Sequence, residues 1–495
     1  MAEKFYNHID GSWCESSGGE WFENISPANK NDVVGVFPKS NREDLERAIK
    51  SAKEAFEEWR LFPAPERGAI IKKAGDIMVE RKEEIAKQMT REMGKVLKET
   101  RGDVQEGIDT AYYAANEGRR LHGHTAPSEL RNKFNMTIRR PIGVAGLISP
   151  WNFPMAIPTW KIFPALVCGN TVVFKPATDT PATAVEFVKI LLEAGVPPKV
   201  INIITGSGRV IGTGLVEHPD IGVISFTGSS DVGKDIASRA GKMLKRVSLE
   251  LGGKNAQIVM PDADLELALE GVLWGAYGTT GQRCTATSRL ILHKDIHDKF
   301  VDMLVERANG LRLGNGLDES NDVGPLVNEE QRTVVREYVE IGKNEGASLV
   351  CGGEAYTEGD CKNGFFYKPT VFTDVKPNMR IFQEEIFGPV LSVIKVNDFD
   401  EAVKVHNDTV YGLSSSIYTK DVNLAFNAIR DFDAGITYIN GPTIGAECHM
   451  PFGGVKETGN GHREGGWEVY EFFSETKTIY VDFSGKLQKA QIDNQ

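Results

Sequence analysis

Between residues 142 and 260, short apolar runs alternate with amphipathic stretches so regularly that few folds accommodate the chain. Runs 142–148, 171–174, 200–204, 223–226 and 246–251 read as strands. Between them the pattern predicts helices over 181–194, opened by Pro181 and stopped by Gly195, over 208–216 and over 232–243. Successive strand–helix units of this kind form a doubly wound, Rossmann-like parallel sheet, whose ligands sit at the carboxyl ends of its strands. The expected fold class is α/β.

A chain of 495 residues is too long for one hydrophobic core. A second α/β block is expected from about Gly253 to 470, with helices over 265–273 and 331–344 and strands over 290–293 and 390–395. Near the N-terminus, Ser40 and Glu43 read as a capping-box pair ahead of a helix striped by Leu45, Ala48, Ile49, Ala52, Ala55, Phe56 and Trp59. Two segments break the rhythm. Residues 128–140, with Leu130, Phe134, Met136 and Ile138 on one side, and residues 476–483 alternate as extended, half-apolar strands. Such strands either pair with another subunit or form a meander within the same chain. The polar tail from Lys486 to Gln495 is expected to fray.

With a net charge of −12, the chain has no basic face to recommend nucleic acid as a partner. No run of 18 apolar residues is present to span a bilayer, and the start Met1-Ala2-Glu3-Lys4 lacks a signal-peptide core. Six scattered cysteines without a Cys-x-x-Cys pair fit reduced thiols, so a cytoplasmic location is expected. Nine histidines without ligand spacing imply no metal.

Some residues could carry chemistry. Cys284, in Gly281-Gln282-Arg283-Cys284-Thr285, is a thiol among small and polar neighbours, and it is a nucleophile only as thiolate. Glu250 ends an apolar strand at the glycine pair of Glu250-Leu251-Gly252-Gly253-Lys254 and could activate that thiol or a water. Asn152, directly after the run 142–148, could donate to an oxyanion or simply satisfy a turn between Pro150 and Pro154. Thr227-Gly228-Ser229 opens a helix and could present backbone N–H groups to a pyrophosphate, although glycine at such turns commonly serves geometry alone. Lys175, at a strand end, could hold a ribose hydroxyl or a phosphate, or be a solvated end residue. The run from Gly206 to Gly212 is one residue longer than Gly-x-Gly-x-x-Gly and is no dinucleotide fingerprint.

The order of these segments says more than any one of them. Trp151-Asn152-Phe153-Pro154, Lys175-Pro176-Ala177-Thr178, Phe226-Thr227-Gly228-Ser229, Glu250-Leu251-Gly252-Gly253-Lys254, Gly281-Gln282-Arg283-Cys284, Glu384-Glu385-Ile386-Phe387-Gly388-Pro389 and Pro451-Phe452-Gly453-Gly454 follow one another along the chain. In this the sequence resembles the NAD(P)-dependent aldehyde dehydrogenase superfamily over about residues 8–483. The resemblance implies Cys284 as nucleophile, Asn152 as oxyanion donor, Glu250 as the base for thioester hydrolysis and Lys161 as a proton relay. It implies cofactor contacts from Trp151, Lys175, Thr178, Gly228, Ser229, Leu251, Glu385 and Phe387, and an aldehyde tunnel at Phe153, Trp160 and Phe452.

The resemblance also implies a dinucleotide-binding domain of residues 1–121 and 141–252, a catalytic domain of 253–469, and oligomerisation segments at 122–140 and 470–495, hence a homodimer or homotetramer. Thr178 stands where many NAD-preferring members have glutamate, so NADP is expected to be accepted beside NAD. The stretches 112–115 and 281–289 are similar to the 2-oxoglutarate semialdehyde branch, and 443–447 to the aminoadipate semialdehyde branch. A small semialdehyde with a distal carboxylate follows as the expected substrate, anchored by Arg283 or by Arg119 and Arg120. Two rival readings are a CoA-acylating relative and a non-catalytic relative. The first commonly lacks the base that Glu250 matches, and the second loses the nucleophile or base, both present here.

Overall fold

The computed structural model describes residues 2–492; the expectations placed on Met1 and on 493–495 lie outside the described residues. Its first sheet runs Arg246–Glu250, Ile221–Thr227, Val144–Ile148, Thr171–Lys175, Ile201–Ile203, Asn7–Ile9, Ser12–Cys14. The first five strands are parallel and the N-terminal hairpin adds antiparallel to the last of them. Chain order reverses between Val144–Ile148 and Ile221–Thr227, and a doubly wound sheet opens its ligand crevice at such a switch point.

Alternation within the strands explains the layers. Ala145 and Leu147 face one cluster with the helices α2 (Ala64–Glu80), α3 (Lys82–Met93), α4 (Leu97–Glu117), α5 (Ala156–Cys168) and α6 (Pro181–Ala194). Val144 and Ile148 face another, against α1 (Arg42–Trp59), α7 (Thr213–Glu217) and α8 (Ser230–Gly241). The second sheet runs Ser348–Cys351, Thr370–Thr373, Val390–Val396, Thr287–His293, Asn255–Val259, Ser414–Tyr418, Ile436–Ile439, all parallel except the first strand. It too is buried on both faces.

Two local expectations need correction, and one open alternative is decided. The cap of α1 is Asn41, whose side chain accepts from the N–H groups of Glu43 and Asp44, while the Asp44 carboxylate accepts back from the Asn41 N–H. Ser40 lies one residue before this cap, and its hydroxyl accepts from Asn7 at 2.7 Å. The helix expected over 208–216 is a wide π turn, Gly208–Gly212, continuing into the short α7. The alternating segments 128–140 and 476–483 form one antiparallel sheet within the chain, in the order Ser474–Asp482, Lys133–Pro141, Thr125–Pro127. Its Phe134, Ile138, Tyr480 and Val481 remain exposed.

One ion pair fixes the approach to the switch point. Lys95 and Asp103 meet at 2.6 Å with both side chains fully buried, and the second Asp103 oxygen accepts the Ala156 N–H at 2.7 Å, capping α5. Removing one partner of a buried pair strands the other charge. Asp103→Ala should therefore destabilise the fold by about 3–5 kcal/mol. The Lys95→Met, Asp103→Leu double variant should recover much of that loss in thermal unfolding.

Candidate active site

Segments from both sheets meet at the switch point. Asn152 follows the strand Val144–Ile148, is buried, and donates from Nδ2 to the Gln282 carbonyl at 3.1 Å. This sets the amide against the backbone two residues ahead of Cys284. Its Oδ1 is buried with no hydrogen-bond partner among the described residues. Cys284 is half-buried just before the strand Thr287–His293. Its carbonyl accepts from Asn255 Nδ2 at 2.7 Å, and the same nitrogen holds the Ala286 carbonyl at 2.9 Å. A side chain on Gly253 would lie 2.4 Å from that Cys284 carbonyl, so glycine is what lets the chain pass the loop that carries Cys284. Burial raises the Cys284 thiol well above the usual cysteine range, and the Glu385 and Glu250 carboxylates add to it.

Glu250 ends the strand Arg246–Glu250, paired with Thr227 of the neighbouring strand. It is 3% exposed, and both carboxylate oxygens are buried with no hydrogen-bond partner among the described residues. Burial, reinforced by Glu464, pushes its carboxyl far above the usual range, while Lys161 and Arg463 oppose the shift. Gly453 makes room for it. There φ is +153°, and a Cβ would stand 2.5 Å from Glu250 Oε1. Lys161, on α5, donates to Ser225 Oγ at 2.8 Å and pairs with Glu464 Oε1, the oxygen to which the Ser225 hydroxyl donates at 3.1 Å. Lys161 and Glu464 are buried, and Glu464 exchanges backbone hydrogen bonds with Phe452 at 2.6 and 2.8 Å. Glu464 was not singled out in the sequence because its only local signal is a glycine-bounded loop, Gly461-His462-Arg463-Glu464-Gly465-Gly466; its partner Lys161 lies 303 positions away.

Six of the expected cofactor residues lie at or after the carboxyl ends of first-sheet strands, while Glu385 and Phe387 come from the segment before Val390–Val396 of the second sheet. Lys175 ends its strand, donates to the Pro176 carbonyl at 2.8 Å, and is lowered by burial to about 8. Thr178 is exposed two residues beyond that carbonyl. The Gly228 N–H donates to the Glu250 carbonyl at 3.1 Å, tying two strand ends together. Ser229 stands at the N-cap of α8 with its hydroxyl uncommitted and exposed. Leu251 is buried against Gly233 of that helix. Glu385 accepts the Gly253 N–H at 2.9 Å, and burial raises its carboxyl to about 7. Phe387 takes a left-handed φ of 55°, its carbonyl held by Gln331 at 3.0 Å, and its ring meets Trp151 edge-on at 5.3 Å. An exposed helix N-terminus beside a buried carboxylate fits a dinucleotide, the first for its pyrophosphate and the second for its ribose hydroxyls.

Trp160 and Phe452 pack at 4.9 Å, and with Leu413 they form a small buried cluster onto which Cys284, Ile436 and Ala446 pack. Phe153 lies between two cations, Lys95 Nζ 3.9 Å and Arg283 Cζ 5.2 Å from its ring centre. A cleft of about 970 Å³ is lined there by Phe153, Arg283, Glu99, Asp103 and Glu106. The Glu106 carboxyl is raised to about 8, chiefly by burial and then by Asp103. Arg119 and Arg120 do not line this cleft: they border others, and Arg120 pairs with Glu117 at 3.1 Å. Tyr112 turns away, donating to Asp76 at 2.9 Å, and Tyr113 faces Tyr470.

With a thiol, a buried carboxylate and an amide so arranged, the chain compares closely with known proteins. The sequence pattern of the aldehyde dehydrogenase family matches residues 13–479. The chain is 44% identical to an alpha-ketoglutaric semialdehyde dehydrogenase of Bacillus subtilis, across 96% of this chain and 98% of the relative. It is 41% identical to a 2,5-dioxopentanoate dehydrogenase of Saccharolobus solfataricus, across 96% and 99%. The crystal structure of betaine aldehyde dehydrogenase from Staphylococcus aureus in complex with NAD+ superimposes with a TM-score of 0.95 at 35% identity, covering 97% of this chain and 95% of that one.

A raised thiol is a weak nucleophile at neutral pH. Without cofactor, alkylation of Cys284 by iodoacetamide, followed on its own peptide by mass spectrometry, should rise about tenfold per pH unit from 7 to 9. A rate that is flat over this range would mean an already ionised thiol.

Proposed function

The chain belongs to the aldehyde dehydrogenase family and is an NAD(P)-dependent oxidoreductase acting on aldehydes; from that premise we propose that Cys284 is its nucleophile and 2,5-dioxopentanoate its substrate. The observation that carries the catalytic half is the buried, unpartnered Glu250 carboxylate beside Cys284 and Asn152.

Cys284 gives up its thiol proton to solvent and, as thiolate, adds through Sγ to the aldehyde carbon, so that the carbonyl oxygen becomes an oxyanion. The remaining N–H of Asn152 Nδ2 and the Cys284 backbone N–H receive it. Bound NAD(P)+ supplies the acceptor for the hydride that leaves this carbon. Lys175 and Thr178 would hold its adenosine end, Gly228, Ser229 and Leu251 its pyrophosphate region, and Trp151, Glu385 and Phe387 its nicotinamide end. The thioester left on Cys284 is cleaved by a water whose proton Glu250 takes, and sulfur departs as thiolate. Glu464 and Ser225, grouped around Lys161, offer that proton a path away from Glu250.

The Glu250 base works only as carboxylate, and its pKa is raised. Turnover should therefore fall as pH drops through that elevated pKa. Glu250→Gln should keep a burst of about one equivalent of reduced cofactor while steady-state kcat falls by about 100-fold or more. A mutant turning over at the wild-type rate would exclude Glu250 as the base.

Alpha-ketoglutaric semialdehyde and 2,5-dioxopentanoate, in the names of the two relatives, are one compound, an aldehyde with a distal keto acid. Arg283, beside Phe153 in the cleft, suits that carboxylate. Thr178 is neutral and exposed, which supports use of NADP beside NAD. The exposed apolar residues of the three-stranded sheet support a homodimer or homotetramer built on 122–140 and 470–495. They flank a dinucleotide-binding unit of 1–121 with 141–252 and a thiol unit of 253–469. Free cysteines alone support a cytoplasmic location.

Assays with each cofactor on 2,5-dioxopentanoate and on propanal test the substrate reading. Arg283→Ala should lower the preference for 2,5-dioxopentanoate, as a ratio of kcat/KM, by about tenfold. An unchanged ratio would remove Arg283 as the anchor, and a hundredfold preference for NAD would remove the cofactor reading.

A further inference from the structure

Glu99 lies in the first turn of α4, on the unit opposite the nucleophile loop, and its side chain is 11% exposed. Both its oxygens accept the Thr279 N–H, at 2.8 and 3.0 Å. Oε1 also takes the Thr279 hydroxyl at 3.3 Å and Arg283 Nη2 at 2.9 Å, while Arg283 Nε donates to the same Thr279 hydroxyl at 3.0 Å. Glu99, Thr279 and Arg283 thus form a closed ring of bonds.

The turn this ring holds is an unfavourable one. Thr279 and Thr280 are consecutive β-branched residues with φ of 53° and 58°, in the left-handed region that such side chains resist. Two residues on, Gln282 presents its carbonyl to Asn152, and two further on stands Cys284. Something must stabilise the turn, and the bonds available are few. Gln282 donates to the Thr279 carbonyl at 3.0 Å from its backbone and 3.1 Å from its side chain, and Thr280 Oγ1 donates to the Gly324 carbonyl at 2.9 Å. The charged partner of this turn is Glu99.

We propose that Glu99 is a positioning residue that fixes, through one carboxylate, both the loop delivering Cys284 and the orientation of Arg283. Two of the three guanidinium nitrogens are committed, and Nη1 is left for a substrate carboxylate in the cleft. The part concerning Arg283 rests on the substrate reading above; the part concerning the loop does not.

Two variants of the full chain separate the parts. Glu99→Gln keeps an acceptor for the Thr279 N–H but removes the charge facing Arg283. Its preference for 2,5-dioxopentanoate over propanal, as a ratio of kcat/KM, should fall about tenfold. Glu99→Ala frees the turn. It should lower kcat for propanal about thirtyfold and change the alkylation rate of Cys284 at fixed pH at least about fivefold, while circular dichroism shows a folded protein. A folded Glu99→Ala protein with wild-type propanal kcat and alkylation overturns the proposal. If Glu99→Ala does not fold, an unchanged substrate ratio in Glu99→Gln overturns it instead. Should the wild type oxidise propanal but not 2,5-dioxopentanoate, the substrate reading fails; a loss of propanal kcat in Glu99→Ala would still support the loop assignment.

Discussion

A carboxylate almost wholly buried, with no hydrogen-bond partner among the described residues, is the constraint around which this structure is arranged. Isolated burial of such a group costs several kcal/mol, so the fold must justify keeping Glu250 where it is. Lys161 and Arg463 lie close enough to favour its ionisation, and Glu464 and burial oppose them. The balance leaves the carboxyl easily protonated and poorly solvated, which suits the base role proposed for it. Gly453 serves the same end, since a side chain there would occupy the space of the carboxylate.

Neither sheet contains the site alone. Glu250, Asn152 and Lys161 belong to the first sheet and its helices, whereas Cys284 and Glu385 come from segments beside strands of the second. Two of the contacts joining the halves end on backbone atoms, Asn152 on the Gln282 carbonyl and Glu99 on the Thr279 N–H, and the Lys161–Glu464 and Glu99–Arg283 ion pairs add side-chain contacts. Backbone partners are indifferent to side-chain identity, so they position the loop whatever residue occupies it. They also confine the pieces to the small tolerances that covalent catalysis needs.

The strands between 142 and 260, with the helix α6, are legible in the sequence because apolar period and turn residues are local properties, whereas the stretch 208–216 forms a π turn and a short helix in place of the single helix expected. Each of those five strands lies within about three residues of its expected position, and α6 runs from Pro181 to Ala194 as read. What shifted was also local but contested. Ser40 and Asn41 are both good caps; Asn41 takes the role through its reciprocal bonds with Asp44, while Ser40 bonds Asn7. The alternating segments at 128–140 and 476–483 could have paired anywhere; their join, Ser474 opposite Pro141, spans most of the chain.

By itself the sequence determined the α/β class, the switch-point strands and the motif-bearing residues Cys284, Glu250 and Asn152, since these depend on residue type and near neighbours. Only the tertiary structure decided that Glu464 sits on Lys161, that Glu99 clasps the turn before Cys284, and that Arg119 and Arg120 border other clefts. Those pairings join residues far apart in the chain. Such a pairing is fixed by how two packed sheets bring their loop ends together, and nothing in the local pattern of either partner specifies that distance.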